Sequence, residues 1–229
     1  MAIGEQQLIT ILGSGFLLGL YHALDADHVA AISAIVSKTK NIKKSSLFGI
    51  AWGIGHTFTL LVAGIIIFLI GIALPKKLSL LFELLASILL ITLGAITLCQ
   101  EIKKYKHTHS HAHDGITHSH PHIHHNHSHH HFHLPLFTGM VHGLAGSSVI
   151  LLTLLATVSS LTAVILYVLI FGIGSTLGMM IVSGVIGFSL MKLAKSEKIS
   201  TILRFSIGII SMSIGFMMIY QHNLYSILS

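Results

Sequence analysis

Four side chains within seven positions, His22, Asp25, Asp27 and His28 of "HALDADHVAAI", set two imidazoles beside two carboxylates. Such a set suits a divalent transition metal. Imidazole with carboxylate fits nickel, cobalt, zinc or iron, whereas calcium or magnesium would take oxygens alone. The setting is apolar on both sides, "LITILGSGFLLGLY" before and "VAAISAIV" after. A charged side chain at the centre of a bilayer costs at least about 2.5–3.5 kcal/mol on insertion scales. Apart from Arg204 near the start of the last apolar stretch, no Lys or Arg lies within one to pair with the aspartates. A bound cation is the best remaining partner. A purely structural polar network is the competing reading, and acids within membrane spans mark function by default.

The elements that must hold these groups are membrane helices. Of 229 residues, 53% are hydrophobic and 9% charged, with mean hydropathy +0.85. A soluble domain carries about 25% charged residues. Six apolar stretches, near 7–36, 45–73, 79–101, 135–159, 162–190 and 199–221, each fit a span of roughly 20 residues. The first, second and fifth are long, which predicts tilt, a kink or an unwound turn. Eleven of the thirteen Lys and Arg residues follow spans one, three and five, and only Lys76 and Lys77 lie on the other side. The positive-inside rule then faces the eleven to the cytoplasm, leaving both termini external in a multi-pass protein of the plasma membrane. The basic balance therefore reports orientation and not nucleic-acid binding. A single Cys, Cys99, excludes a disulfide framework and a CxxC metal site. The N-terminus shows no basic region or small-residue cleavage site, so no removed signal peptide is expected.

Three segments recur in order at an offset of about 120. "GLYH" ending at His22 matches "GMVH" ending at His142. "WGIGHTFTLLVAG" at 52–64 matches "FGIGSTLGMMIVSG" at 171–184, and "LITLGAITL" around Gly94 resembles "SMSIGFMMI" around Gly215. With three spans in each half, the second half must run opposite to the first. The expected fold is an all-α integral membrane protein of six transmembrane helices, arranged as two inverted three-helix repeats. Its units are a first repeat with the metal motif at 1–106, a His-rich loop at 107–133, and a second repeat at 134–229. Binding sites in such architectures lie at the repeat interface on interrupted helices.

Helix geometry extends the candidate site. On a straight helix His22, Asp25 and His28 share an arc of about 120°, yet His22 and His28 stand about 9 Å apart along the axis, and Asp27 points away. Either the helix unwinds near Leu24–Ala26 or other ligands contribute. His56 of "GIGHTF" and His142 of "GMVHGLAGSS" are the available suppliers. Glycines 53, 55, 139, 143 and 146 permit close helix approach there. The candidate metal set is His22, Asp25, Asp27, His28, His56 and His142. Thr57, Thr59, Ser147, Ser148, Ser175 and Thr176 are expected to bond back to their own helices. Glu83 is expected at the external opening of the third span.

Residues 107–133 hold fourteen of the nineteen histidines and show no apolar periodicity, which predicts a disordered cytoplasmic loop. Imidazole at that density binds transition metals without specifying a geometry, so buffering is the expected role.

"HALDADHVAAI" resembles the signature of the nickel–cobalt transporter family, a His, four residues, then Asp-His, matched here by His22, Asp27 and His28. "GIGHTFTLL" resembles that family's second motif, a Gly-His followed by a hydroxyl residue, matched by Gly55, His56 and Thr57. With "HGLAGS" and "FGIGSTLGM", the likeness is greatest to the shorter, UreH-like branch once labelled urease-accessory. The resemblance implies a permease for Ni²⁺, or Co²⁺, as transported substrate. It also implies that His22, Asp27, His28 and His56 are its ligands. The chain departs from longer members, which have eight spans, and it carries Ser175 where the second span has His56. The expected function is secondary transport, with import favoured and no prosthetic group. The expected partners are the metal ion, the lipid bilayer and a cytoplasmic metallochaperone, with oligomeric state open. Export, or service as the metal-binding subunit of an ATP-driven complex, are the alternatives. No GxxxxGK[ST] makes the chain itself a P-loop ATPase, and no HExxH supports an intramembrane protease.

Overall fold

In this computed structural model the described residues are 5–39, 41–72, 74–106, 110–113, 116–119, 132–146, 160–194 and 196–221. Ser147, Ser148 and the rest of the expected fourth span to 159 lie outside them, as does most of the His-rich loop. Seven helices are described: α1 (Glu5–His22), α2 (Ala26–Val36), α3 (Ile42–Ile70), α4 (Lys76–Lys106), α5 (His133–His142), α6 (Leu161–Leu193) and α7 (Glu197–Gln221). Among them α3, α4, α6 and α7 are long and apolar enough to cross a membrane. The protein is a membrane protein.

Local chemistry sets the ends of these helices. Asn41 caps α3 by accepting from the Lys44 N–H at 3.2 Å, and Gly71 closes it in the left-handed region at φ 69. Ser160 caps α6 by accepting from the Ala163 N–H at 3.4 Å. The expected first span is two helices, not one. It breaks over Ala23, Leu24 and Asp25, where the Leu24 and Asp25 N–H groups turn to the Tyr21 and His22 carbonyls. Asp25 stands at the cap of α2 with ψ 140, yet its side chain makes no capping bond. That carboxylate is engaged elsewhere, as described below.

Packing depends on glycine. α3 lies against α6, α4 against α7, α1 along α6 and α5 along α3. A side-chain carbon on Gly19 would strike the Phe171 carbonyl, and one on Gly139 would strike that of Trp52. Gly174 abuts the Phe16 carbonyl, and Gly55 abuts that of Leu136. Gly53 meets Thr176, and Gly172 meets Thr57. Each contact thus has a mate displaced by about 120 positions in both partners. The buried cluster that includes Ala31, Ile32, Trp52, Leu90 and Met179 surrounds α2 and seats the broken helix.

At one end of the bundle Arg204 Nη1 donates to Glu101 Oε1 at 2.7 Å, and Arg204 Nε donates to the Ser37 carbonyl at 3.3 Å. Lys38 donates to Gln100 beside it. Arg204, expected around the loop after the fifth span, lies in the second turn of α7, where the buried Glu101 neutralises it. Glu83 is the other buried acid of α4, the helix that carries Glu101. It sits two turns inside α4 and is only 6% exposed.

The His-rich loop is corrected in part. Ser110–His113 and Ile116–Ser119 form two antiparallel strands, paired from Ser110–Ser119 to His113–Ile116. Asp-Gly stands between them in the sequence, the strongest short hairpin signal. Apart from that hairpin the described architecture is all-helical.

The glycine contacts give a direct expectation. Gly19→Ala and Gly139→Ala must push helices apart and should each lose about 1–3 kcal/mol, while Gly13→Ala, with nothing within 4 Å, should not. Unfolding titrations in mixed micelles read this, and equal midpoints for all three variants would contradict it.

Candidate metal centre

The break in the first span brings its two histidines together. His22 is the last residue of α1, and His28 lies in the first turn of α2. Their rings are 4.6 Å apart, although a straight helix would separate them by about 9 Å along the axis. His56, in the middle of α3, lies 4.9 Å from the His22 ring and 5.4 Å from the His28 ring. His142 closes α5 and lies 5.5 Å from His28. All four imidazoles are buried.

Hydrogen bonds decide which nitrogens face one another. Asp25 Oδ2 is 2.9 Å from His22 Nδ1, and Asp27 Oδ1 is 3.0 Å from His28 Nδ1. His142 Nδ1 is 3.0 Å from the Thr138 carbonyl, an acceptor only, so Nδ1 carries the proton and Nε2 the lone pair. His28 Nε2 and His142 Nε2 have no hydrogen-bond partner. His22 Nε2 and His56 Nε2 approach to 3.2 Å. Two lone pairs at that distance repel unless a proton or a cation lies between them. Metal–imidazole bonds of about 2.0–2.1 Å place neighbouring donor atoms about 2.9–3.4 Å apart in octahedral or tetrahedral geometry, which spans the observed value. Ligand atoms of His22, His28 and His56 lie within 4.8 Å of one another, as do those of Asp25, Asp27 and His28. Imidazole groups at this spacing could share one divalent ion.

All six expected residues meet at this junction, but the aspartates touch imidazoles first. Each carboxylate holds the Nδ1 of a histidine close to it in sequence. That arrangement fixes tautomer and ring orientation in metal sites.

Other residues beside the cluster were not anticipated. Trp52 is fully buried, with its ring 5.0 Å from His142 and 5.8 Å from His28. It stands four positions before His56, so the helical period alone puts both on one face. The Phe171 ring lies 5.4 Å from His22. Thr57 and Thr59 bond back to the Gly53 and Gly55 carbonyls at 2.7 and 3.0 Å, as expected. Ser175 does not: it is fully buried and its Oγ has no partner.

The sequence family agrees with this chemistry. The model of the NicO family, described as high-affinity nickel-transport protein, matches residues 8–222. The chain belongs to the NicO family. It is also 37% identical over 220 residues to the urease accessory protein UreH of Bacillus sp. (strain TB-90), covering 96% of this chain and 94% of that one. No solved structure matches. As a NicO member the chain is a transporter and not an enzyme, and all six candidate residues lie within the matched region.

Trp52 is the chain's single tryptophan, which makes the site self-reporting. Ni²⁺ bound among the imidazoles should quench its emission, and His28→Ala or His56→Ala should abolish the quench. A fluorescence titration in detergent measures this. Quenching that survives both changes would place the ion elsewhere.

Proposed function

We propose that this NicO-family transporter imports Ni²⁺ across the plasma membrane as a secondary permease, with Co²⁺ as a second substrate. The observation that carries it is the convergence of the His22, His28 and His56 ligand atoms within 4.8 Å at a helix break inside the bundle. His22, His28, His56 and His142 supply neutral nitrogen ligands. Asp25 and Asp27 orient two of them and offset the charge of a dehydrated dication. Nickel-like ions fit such imidazole-rich sites, and the carboxylates balance a charge that the bilayer would otherwise reject.

The path follows from the architecture. The chain is two inverted three-helix repeats, α1 to α4 against the half that contains α5 to α7. The glycine contacts that recur at an offset of about 120 support this. His22 and His142 close equivalent helices, each followed by a turn. Rocking of one repeat against the other exposes the site alternately to each face. The contacts of Arg204, Glu101, Lys38 and Gln100 gather the lysine-rich ends of α2, α4 and α7. By the positive-inside rule that end is cytoplasmic, with both termini external. The His-rich loop then gathers incoming metal on the cytoplasmic face for a metallochaperone. Metal ligands must be deprotonated, so protonation favours release, and uptake is coupled to protons.

The test is ⁶³Ni uptake by proteoliposomes that contain the purified chain alone. Uptake should occur without ATP and should respond to an imposed pH gradient. His28→Ala and Asp27→Ala should remove it while the protein stays folded. Uptake only with an added ATPase would favour the subunit of an ATP-driven complex. Deletion of 107–133 should weaken transport modestly, and complete loss from a folded protein would contradict a buffering role. Growth on limiting against toxic nickel separates import from export.

A further inference from the structure

A bound ion would account for the Nε2 atoms of His28 and His142 that lack partners, but not for two buried donors nearby, on Trp52 and Ser175. Trp52 Nε1 and Ser175 Oγ have no hydrogen-bond partner, and both residues are fully buried. The indole N–H is a donor only and has no lone pair for a cation. Whatever satisfies it must present a lone pair, and with the nearby imidazole Nε2 lone pairs given to the ion, that is an oxygen. Trp52 faces the cluster directly, with its ring 5.0 Å from His142 and 5.8 Å from His28.

Ser175 belongs to the same centre by two routes. It stands one turn beyond Phe171, whose ring is 5.4 Å from His22, and its backbone nitrogen packs against Gly19 of α1. It is also the counterpart of His56 at the offset of about 120. His56 packs its backbone against Gly143, beside His142. The first half therefore supplies three imidazoles, while the second supplies one imidazole and a hydroxyl. Buried polar groups are almost always paired, and water serves where protein atoms do not.

We infer that Trp52 and Ser175 are specificity-determining residues that hold water retained on the transported ion. The ion is then carried partly hydrated and not stripped to a cage of nitrogens. This rests on the metal-transport reading above. It has a chemical consequence. Zn²⁺ is satisfied by four ligands in a tetrahedron, whereas Ni²⁺ favours tetragonal or octahedral sets. Water held by an N–H and a hydroxyl completes the larger set, so these two groups favour Ni²⁺ over Zn²⁺.

The experiment uses the full chain in proteoliposomes and measures ⁶³Ni uptake with Zn²⁺ as competitor. Trp52→Phe keeps the ring and removes the N–H; Ser175→Ala removes the hydroxyl. Each should raise the KM for Ni²⁺ about tenfold, the worth of one hydrogen bond, and leave inhibition by Zn²⁺ within about threefold. The visible bands of bound Co²⁺ should shift toward lower coordination in each variant relative to the unchanged chain. A parallel rise in both constants, or an unchanged ratio with unchanged Co²⁺ bands, overturns the proposal. If Trp52→Phe fails to fold, Ser175→Ala decides by the same ratio. An unaltered chain that takes up no metal would instead refute the transport reading itself.

Discussion

Two short contacts between carboxylate and imidazole, Asp25 with His22 and Asp27 with His28, organise everything around them. An aspartate at a helix start would ordinarily cap the backbone, yet the Asp25 side chain makes no capping bond. It turns back to His22 and leaves α1 and α2 separated by an unwound turn. The break costs backbone hydrogen bonds in a place where water is scarce. In return, two histidines six positions apart meet with rings 4.6 Å apart. The carboxylates also hold the Nδ1 positions, so the Nε2 atoms are the ones left to act.

That junction survives only if neighbouring helices come close enough to wall it. Glycine makes this possible on both sides. Gly19 lets α1 touch α6 near Phe171, and Gly139 lets α5 touch α3 at Trp52. Apolar side chains give little drive for association in lipid, so close backbone packing takes over that role. The same close approach brings His56 to 3.2 Å from His22 and sets Trp52 against His142. At the lysine-rich end, the Arg204–Glu101 pair joins the N-terminal end of α7 to α4, while Arg204 also holds the end of α2 through Ser37. The helix that carries Asp27 and His28 is therefore held at both ends, by the cluster and by this ion pair.

Much of this was legible in the sequence because it is costly in lipid. Acids and imidazoles within an apolar stretch marked the site, and the 9 Å rise between His22 and His28 pointed to an unwound turn near Leu24. The match of "GLYH" with "GMVH" singled out His142 as the counterpart of His22. Other features had weaker local signatures. A carboxylate that binds a metal and one that orients an imidazole are the same residue in sequence; only the distance from Oδ to Nδ1 separates them. Trp52 reads as an ordinary apolar residue, and its orphaned N–H is visible only once the neighbours are placed. The Arg204–Glu101 pair was not anticipated, because the two residues are about a hundred positions apart. The strands at 110–119 were hidden by histidine content, although the Asp-Gly between them is a hairpin signal.

Anomalous diffraction at the nickel edge, from the Ni²⁺-loaded protein, probes the proposed centre most directly. A single interior peak should lie about 2.0–2.1 Å from imidazole nitrogens of His22, His28 and His56, with Asp25 and Asp27 still on the Nδ1 atoms. A peak held by the two carboxylates with the imidazoles turned away, or no peak inside the bundle, would contradict it.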